Sequence, residues 1–209
     1  MPDLLDLLLH VDQHLADLAA WAGPWAVVAI AAVVFCETGL VVMPLLPGDS
    51  LIFAAGGLAA TGAFNVWTLG LALFAAAVLG DAVNYAVGHR LGRAAAGRLV
   101  RPERLAQTEA FFARHGGRAV VIARFVPIVR TVAPFVAGIG AMDYPRFLRY
   151  NVLGAILWIV PFLGTGYAFG SLPIVKENFG LFVLGVIAMS LVPLIVEVVR
   201  NRRLAPLAP

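Results

Sequence analysis

The stretch Glu37–Leu51, "ETGLVVMPLLPGDSL", decides how the chain folds. It sets a Glu and an Asp inside one of the most apolar parts of the sequence. Gly39, Pro44, Pro47 and Gly48 stand between them. Ionised side chains are costly in an apolar setting, at about 3 kcal/mol for Asp or Arg at the centre of a membrane helix. Pro removes a backbone donor and Gly weakens a helix. The chain is therefore expected to break where its charges sit.

The rest of the sequence supplies the setting. The chain has 209 residues, of which 61% are hydrophobic and 13% charged, with a mean hydropathy of +0.91. A soluble domain carries about 45–50% apolar and about 25% charged residues. The excess is gathered into long blocks, so the sequence reads as a single integral membrane domain. Its one cysteine, Cys36, lies in an apolar run and says nothing about redox compartment. No cofactor, metal or nucleic-acid partner is expected.

Residues 1–22 place Leu4, Leu8, Val11, Leu15 and Leu18 on one helical face, opposite Asp3, Asp6, His10, Gln13 and Asp17. This predicts an amphipathic interfacial helix, read as a structural lid. It lacks the basic start of a cleavable signal peptide. His10 and His14 share a face, but two ligands do not make a metal site.

A crossing needs about 20 apolar residues. Segments 66–88, 152–169 and 179–199 meet or approach that length. The runs Trp25–Cys36 and Leu51–Ala60 do not, and at about 1.5 Å per residue neither spans the bilayer. A second interrupted stretch, 119–142, contains Arg124, Pro127, Arg130 and Pro134. The basic segment 90–118 carries Arg90, Arg93, Arg98, Arg101, Arg104, Arg114 and Arg118, and the tail carries Arg200, Arg202 and Arg203. Basic loops face the cytoplasm, so 90–118 is expected on the cytoplasmic membrane surface. The parity closes with a cytoplasmic C-terminus if 25–62 and 119–142 each enter and leave on one face. The expected fold is an all-α polytopic bundle with two opposed re-entrant hairpins. A single kinked crossing at 25–62 is the competing reading.

The two hairpins hint at an inverted repeat. "PGDSLIFAAGGLAATG" and "PIVRTVAPFVAGIG" both run from a Pro through a polar residue to small residues, and "GDAVNYAVG" has a loose counterpart in "GTGYAFG". Pro44, Pro47, Gly48, Pro127, Pro134 and Gly138 are the candidate hairpin breakers. Broken helices meeting near the midplane are a transporter-like design.

Non-helical backbone at membrane depth must be buried in protein or line a wet cavity. Glu37, Asp49, Arg124 and Arg130 are thus expected to face one another or water. Opposite charges about 4 Å apart gain on the order of 4 kcal/mol at an effective dielectric near 20. Arginine presents a fork of donors suited to phosphate oxygens. A carboxylate in a low-dielectric site can hold and release a proton. Arg124 and Arg130 are the candidate headgroup residues, and Glu37 and Asp49 the candidate proton-coupling or gating residues. Asp81, in "GDAVNYAVGHRLG", is either a third proton site or a helix-packing partner. These features fit either a proton-coupled carrier of an anionic lipid or a set of ion pairs that only fixes the hairpins.

The blocks "ETGLVVMPLLPGDSLIFAAGGLAATG", "GDAVNYAVGHRLG", "ARFVPIVRTVAPFVAGIGAMDYPRFLRYNVLGAILW" and "GTGYAFG" resemble the DedA family, also called the SNARE-associated or VTT domain family. The likeness covers roughly residues 30–170. It implies two re-entrant hairpins, a role in envelope homeostasis at the bacterial inner membrane, and transport dependent on the proton-motive force. Some bacterial members are linked to returning undecaprenyl phosphate across the membrane, and eukaryotic relatives behave as scramblases. The family's essential acidic pair matches Glu37 and Asp49, and its arginine pair matches Arg124 and Arg130. A lipid phosphatase is the enzymatic alternative. The four histidines, His10, His14, His89 and His115, lie in no intramembrane motif beside a Ser or Asp, which argues against it. The expected partners are protons and anionic membrane lipid, with a polyprenyl phosphate as one candidate. The oligomeric state is not legible.

Overall fold

The computed structural model describes residues 23–40, 48–100, 102–173 and 175, and every regular element among them is helical. The expected N-terminal amphipathic helix, the 41–47 tip with Pro44 and Pro47, and the 179–199 crossing lie outside the described residues.

Helix α1 spans Pro24–Gly39 and α2 spans Gly48–Ala60. Helix α3, Val66–Leu99, turns at Gly92, where φ is 63°. Helix α4 spans Pro102–His115. After a 3-10 turn at Gly116–Arg118, three short pieces follow: α5 (Ala119–Ala123), α6 (Pro127–Arg130) and α7 (Ala133–Ile139). Helix α8 runs Tyr144–Gly170.

Among the described residues, two stretches are long and apolar enough to cross a membrane: Val66–Gly92 of α3 and all of α8, 27 residues each. At 1.5 Å per residue each reaches about 40 Å, beyond the hydrocarbon thickness. Asn65 caps α3, its side-chain oxygen accepting the N–H of Trp67 and Thr68 at 3.0 and 3.1 Å. Pro145 sits in the first turn of α8, where no intrahelical donor is lost. Helix α8 begins before the apolar run predicted from Val152. Phe147 and Asn151 are buried while Arg146 and Arg149 are exposed. This amphipathic start has helical spacing but fails a test of hydropathy alone.

Helices α3 and α8 are antiparallel. Gly70 faces Leu163 at one end, the Asn151 amide donates to the Val78 carbonyl at 3.0 Å midway, and the Tyr85 and Phe147 rings stack at 4.4 Å near the other end. Their outer faces carry Trp67, Leu71, Leu79 and Val83, then Leu153, Ile156, Leu157 and Val160, all exposed. Apolar side chains presented outward at helical spacing suit lipid rather than water. Trp67, 83% exposed, begins α3, and exposed Trp25 begins α1, as interfacial aromatics do.

The shorter helices lie against this pair. Helix α2 follows α8 in the same direction: Asp49 meets Trp158, Phe53 meets Gly166 and Gly57 meets Gly170. A Cβ on Gly166 or Gly170 would strike the backbone of α2, so only glycine permits this approach. Helix α7 follows α3 in the same way, with Thr131 near Asn84 and Phe135 against Gly88. The end of α1 meets α3 at Gly39 and Gly80, and the end of α5 meets α8 at Gly154. Val34, Ile52, Leu69, Leu73, Trp158 and Ile159 form the main buried cluster joining α1, α2, α3 and α8.

The expected breakers divide. Gly48 opens α2, and Pro127 and Pro134 stand at the starts of α6 and α7. Gly138 is the second-last residue of α7, just before the helix's C-cap at Gly140. It faces the Tyr85 carbonyl and the His89 N–H, so its role is close approach to α3.

Candidate functional site

Asp81 lies 15 positions past Val66, about 22 Å along α3 and close to the middle of its crossing portion. Trp158 lies at a similar midpoint of α8. Around this level α1 ends, α2 begins, and the α5–α6–α7 segment makes its two breaks. Each break exposes backbone groups that a helix interior would satisfy. The polar side chains gather there.

One half of the site is closed. Arg124, at the end of α5, donates through Nη2 to Asp81 Oδ2 at 2.5 Å, to Asn151 Oδ1 at 2.7 Å and to the Ala77 carbonyl at 3.4 Å. The Arg124 and Asp81 side chains are 6% and 5% exposed. Asn151 is itself held by its bond to Val78. A buried ion pair this well partnered offsets much of its desolvation cost.

The other half is shared. Arg130, at the end of α6, donates through Nη1 to both oxygens of Asp49, at 3.0 and 3.2 Å, and through Nη2 to Glu37 Oε1. Glu37 is buried at 3% while Asp49 is 48% exposed. The Trp158 indole N–H donates to Asp49 Oδ1 at 2.7 Å. Its ring lies 5.2 Å from the Arg130 guanidinium carbon and 5.6 Å from that of Arg124, within cation–π range. Gly48 lies directly against the Glu37 carboxylate, so a Cβ there would overlap it.

Asn84 ties the broken elements together. Its amide donates to the Thr38 carbonyl at 3.1 Å and the Thr131 carbonyl at 3.0 Å. One side chain on α3 thus satisfies carbonyls at the end of α1 and at the α6–α7 break.

Among the described residues, four buried side-chain atoms have no hydrogen-bond partner: Glu37 Oε2, Asn84 Oδ1, Arg124 Nε and Thr131 Oγ1. All four belong to this cluster. Natural cores rarely leave such atoms unpaired, so their concentration here calls for an explanation. The cluster also holds three acids and two bases, one more acid than base. The cleft lined by Glu37, Thr38, Arg124, Arg130, Thr131 and Trp158 has room for about one water molecule. Among the described residues no group of three or more His, Cys, Asp or Glu has the arrangement of a metal site.

The structure thus brings Glu37, Asp49, Asp81, Arg124 and Arg130 into one region. It pairs Arg124 with Asp81, and gives Arg130 to both Glu37 and Asp49. Sequence reasoning passed over Asn84, Asn151 and Trp158. Uncharged amides within or beside apolar runs were the available signal for the first two. Trp158 had none, because a tryptophan in an apolar run reads as core or interface.

Residues 46–168 match the VTT domain family. The chain is 46% identical over 208 residues to Protein DedA of Escherichia coli (strain K12), covering 97% of this chain and 95% of that protein. An uncharacterized membrane protein of Mycobacterium tuberculosis (strain ATCC 25618 / H37Rv) is 37% identical over 215 residues, covering 99% of this chain and 92% of that one. Inner membrane protein YghB of Escherichia coli (strain K12) is 36% identical over 186 residues, covering 85% and 84%. No solved structure matches. With a family match over more than half its length and relatives aligned nearly end to end, the chain belongs to the DedA family of VTT-domain membrane proteins.

Proposed function

We propose that this protein carries an anionic lipid across the bacterial inner membrane, coupled to proton movement. Undecaprenyl phosphate is the cargo that the family resemblance favours. The observation carrying this reading is Arg130 at mid-depth, shared between two carboxylates on a different broken segment. An arginine fork so placed suits a phosphate headgroup. Protonation of Glu37, with Asp49 gating the site, would free it. The family's YghB is named an inner membrane protein, which supports the location.

The same reading takes 25–62 and 119–142 as re-entrant hairpins entering from opposite faces. In its support, α2 ends near Gly170 and begins near Trp158, while Gly117 lies near Met142 and Gly138 near Tyr85. Each segment thereby has its deepest residues at the charged level. The basic stretch after His89 puts the second entry on the cytoplasmic side, with the C-terminus there as well. The midplane cleft is too small for a phosphate group in this conformation, so headgroup entry requires the hairpins to separate. Alternating access is the form of motion that does this.

A second reading has a specific observation in its favour. Arg124, Asp81 and Asn151 are buried and mutually bonded, as a purely structural lock would be. We assign that half to fixing the hairpin and the Arg130 half to the cargo. The test is reconstitution in liposomes with a labelled polyprenyl phosphate and an imposed pH gradient. Movement that is lost in Arg130→Ala and Glu37→Ala is the expected result. Release of inorganic phosphate without movement would indicate a phosphatase, and neither result from folded protein would leave an assembly factor.

A further inference from the structure

Of the three tryptophans among the described residues, Trp25 and Trp67 are mostly exposed, and Trp158 is 2% exposed. Trp158 also touches both halves of the charged site. Its N–H reaches Asp49, and its ring lies beside both Arg124 and Arg130. We infer that Trp158 is a positioning residue, which keeps the two guanidinium groups beside one ring and keeps Asp49 partnered when Arg130 turns to an anionic phosphate headgroup.

The chemistry of indole supports this division of labour. Two guanidinium groups repel each other, and an aromatic face attracts both without neutralising either. The indole nitrogen only donates. It stabilises the Asp49 carboxylate while adding no charge, so the charge of Arg130 stays available. Asp49 Oδ1 accepts from Arg130 and Trp158 together, at 3.0 and 2.7 Å. When Arg130 exchanges this contact for a phosphate oxygen, the N–H remains, and Asp49 is not left bare.

The inference rests on the carrier reading for its functional consequence, so two measurements are needed. The first uses liposomes with a labelled polyprenyl phosphate, comparing wild type, Trp158→Phe, Asp49→Asn and the double variant. Trp158→Phe keeps a ring and loses the N–H. It is expected to raise the half-saturating lipid concentration about tenfold, as loss of a hydrogen bond to a charged group does, in protein that still melts cooperatively in detergent. In the Asp49→Asn background the same change is expected to have less than about a twofold effect. Equal effects in both backgrounds would overturn the inference, since packing alone is indifferent to residue 49. The second measurement makes Trp158 the sole tryptophan by Trp21→Phe, Trp25→Phe and Trp67→Phe, with excitation selective for indole. Its emission is expected to shift on Asp49→Asn and on Arg130→Lys without any lipid. An unchanged spectrum in both would overturn the inference as well. If wild type moves no polyprenyl phosphate, the carrier reading is what fails, and the emission alone then decides the role of Trp158.

Discussion

Arg124 and Asp81 stand 2.5 Å apart, 43 positions apart in the chain, with both side chains almost fully enclosed. Neither charge has water to fall back on. Asp81→Asn is expected to leave Arg124 an uncompensated buried cation and to cost about 3–5 kcal/mol. Replacing both partners by apolar residues of similar size, Arg124→Met with Asp81→Leu, should cost clearly less than the sum of the single changes. Melting temperature in detergent for the single and double variants checks this. An additive result would show that the pair is not coupled.

Gly48 carries a different constraint, because a Cβ there would occupy the space of the Glu37 carboxylate. Gly48→Ala should displace Glu37 from Arg130 while leaving α2 helical. Its transport defect is expected to match that of Glu37→Gln, and the double variant to be no worse than either single. Initial rates in the liposome assay provide the comparison.

Two glycines two residues apart on α8 should respond in opposite ways. Gly166 faces the Phe53 backbone, whereas Gly164 has open space around it. Gly166→Ala is expected to destabilise by about 1–3 kcal/mol through overpacking. Gly164→Ala should be neutral or slightly stabilising, since alanine favours helix. The yield of monodisperse protein and its melting temperature report both.

Asn84→Leu removes the donor that serves the Thr38 and Thr131 carbonyls. Leaving a buried acceptor unsatisfied costs about 1–3 kcal/mol. The expected sign is faster amide exchange near residues 38–40 and 131–135, with the α3–α8 pair unaffected. Uniform loss of protection would instead indicate a global role for Asn84.

The proposed opposed hairpins predict a labelling pattern. With Cys36→Ser removing the only thiol, Gly23→Cys and Thr61→Cys should react with an impermeant maleimide from one side of the membrane. Gly116→Cys and Asp143→Cys should react from the other. Finding positions 23 and 61 on opposite sides would replace the first hairpin with a full crossing.

Much of this organisation was legible before any coordinates. The apolar blocks, the short runs on either side of Glu37–Leu51 and the interruptions between 119 and 142 locate the long helices and the broken segments. Their boundaries were less legible. The amphipathic first turns of α8 are invisible to a hydropathy run, and α3 continues past Gly88 because nothing there breaks a helix until Gly92 turns it. Glu37, Asp49, Asp81, Arg124 and Arg130 stood out because charge in an apolar stretch is expensive. Asn84 and Asn151 cost less and signal less, and Trp158 costs nothing at all.

The sequence by itself determined the membrane class, the places where helices break and the residues too polar to face lipid, because composition and period are local properties. Only the tertiary structure decided the partners. Arg130 reaches back 81 and 93 positions to Asp49 and Glu37, Arg124 takes Asp81, and Trp158 reaches back 109 positions to Asp49. Such choices depend on which helix faces meet and at what depth, and the close approaches at Gly39, Gly80 and Gly166 set those.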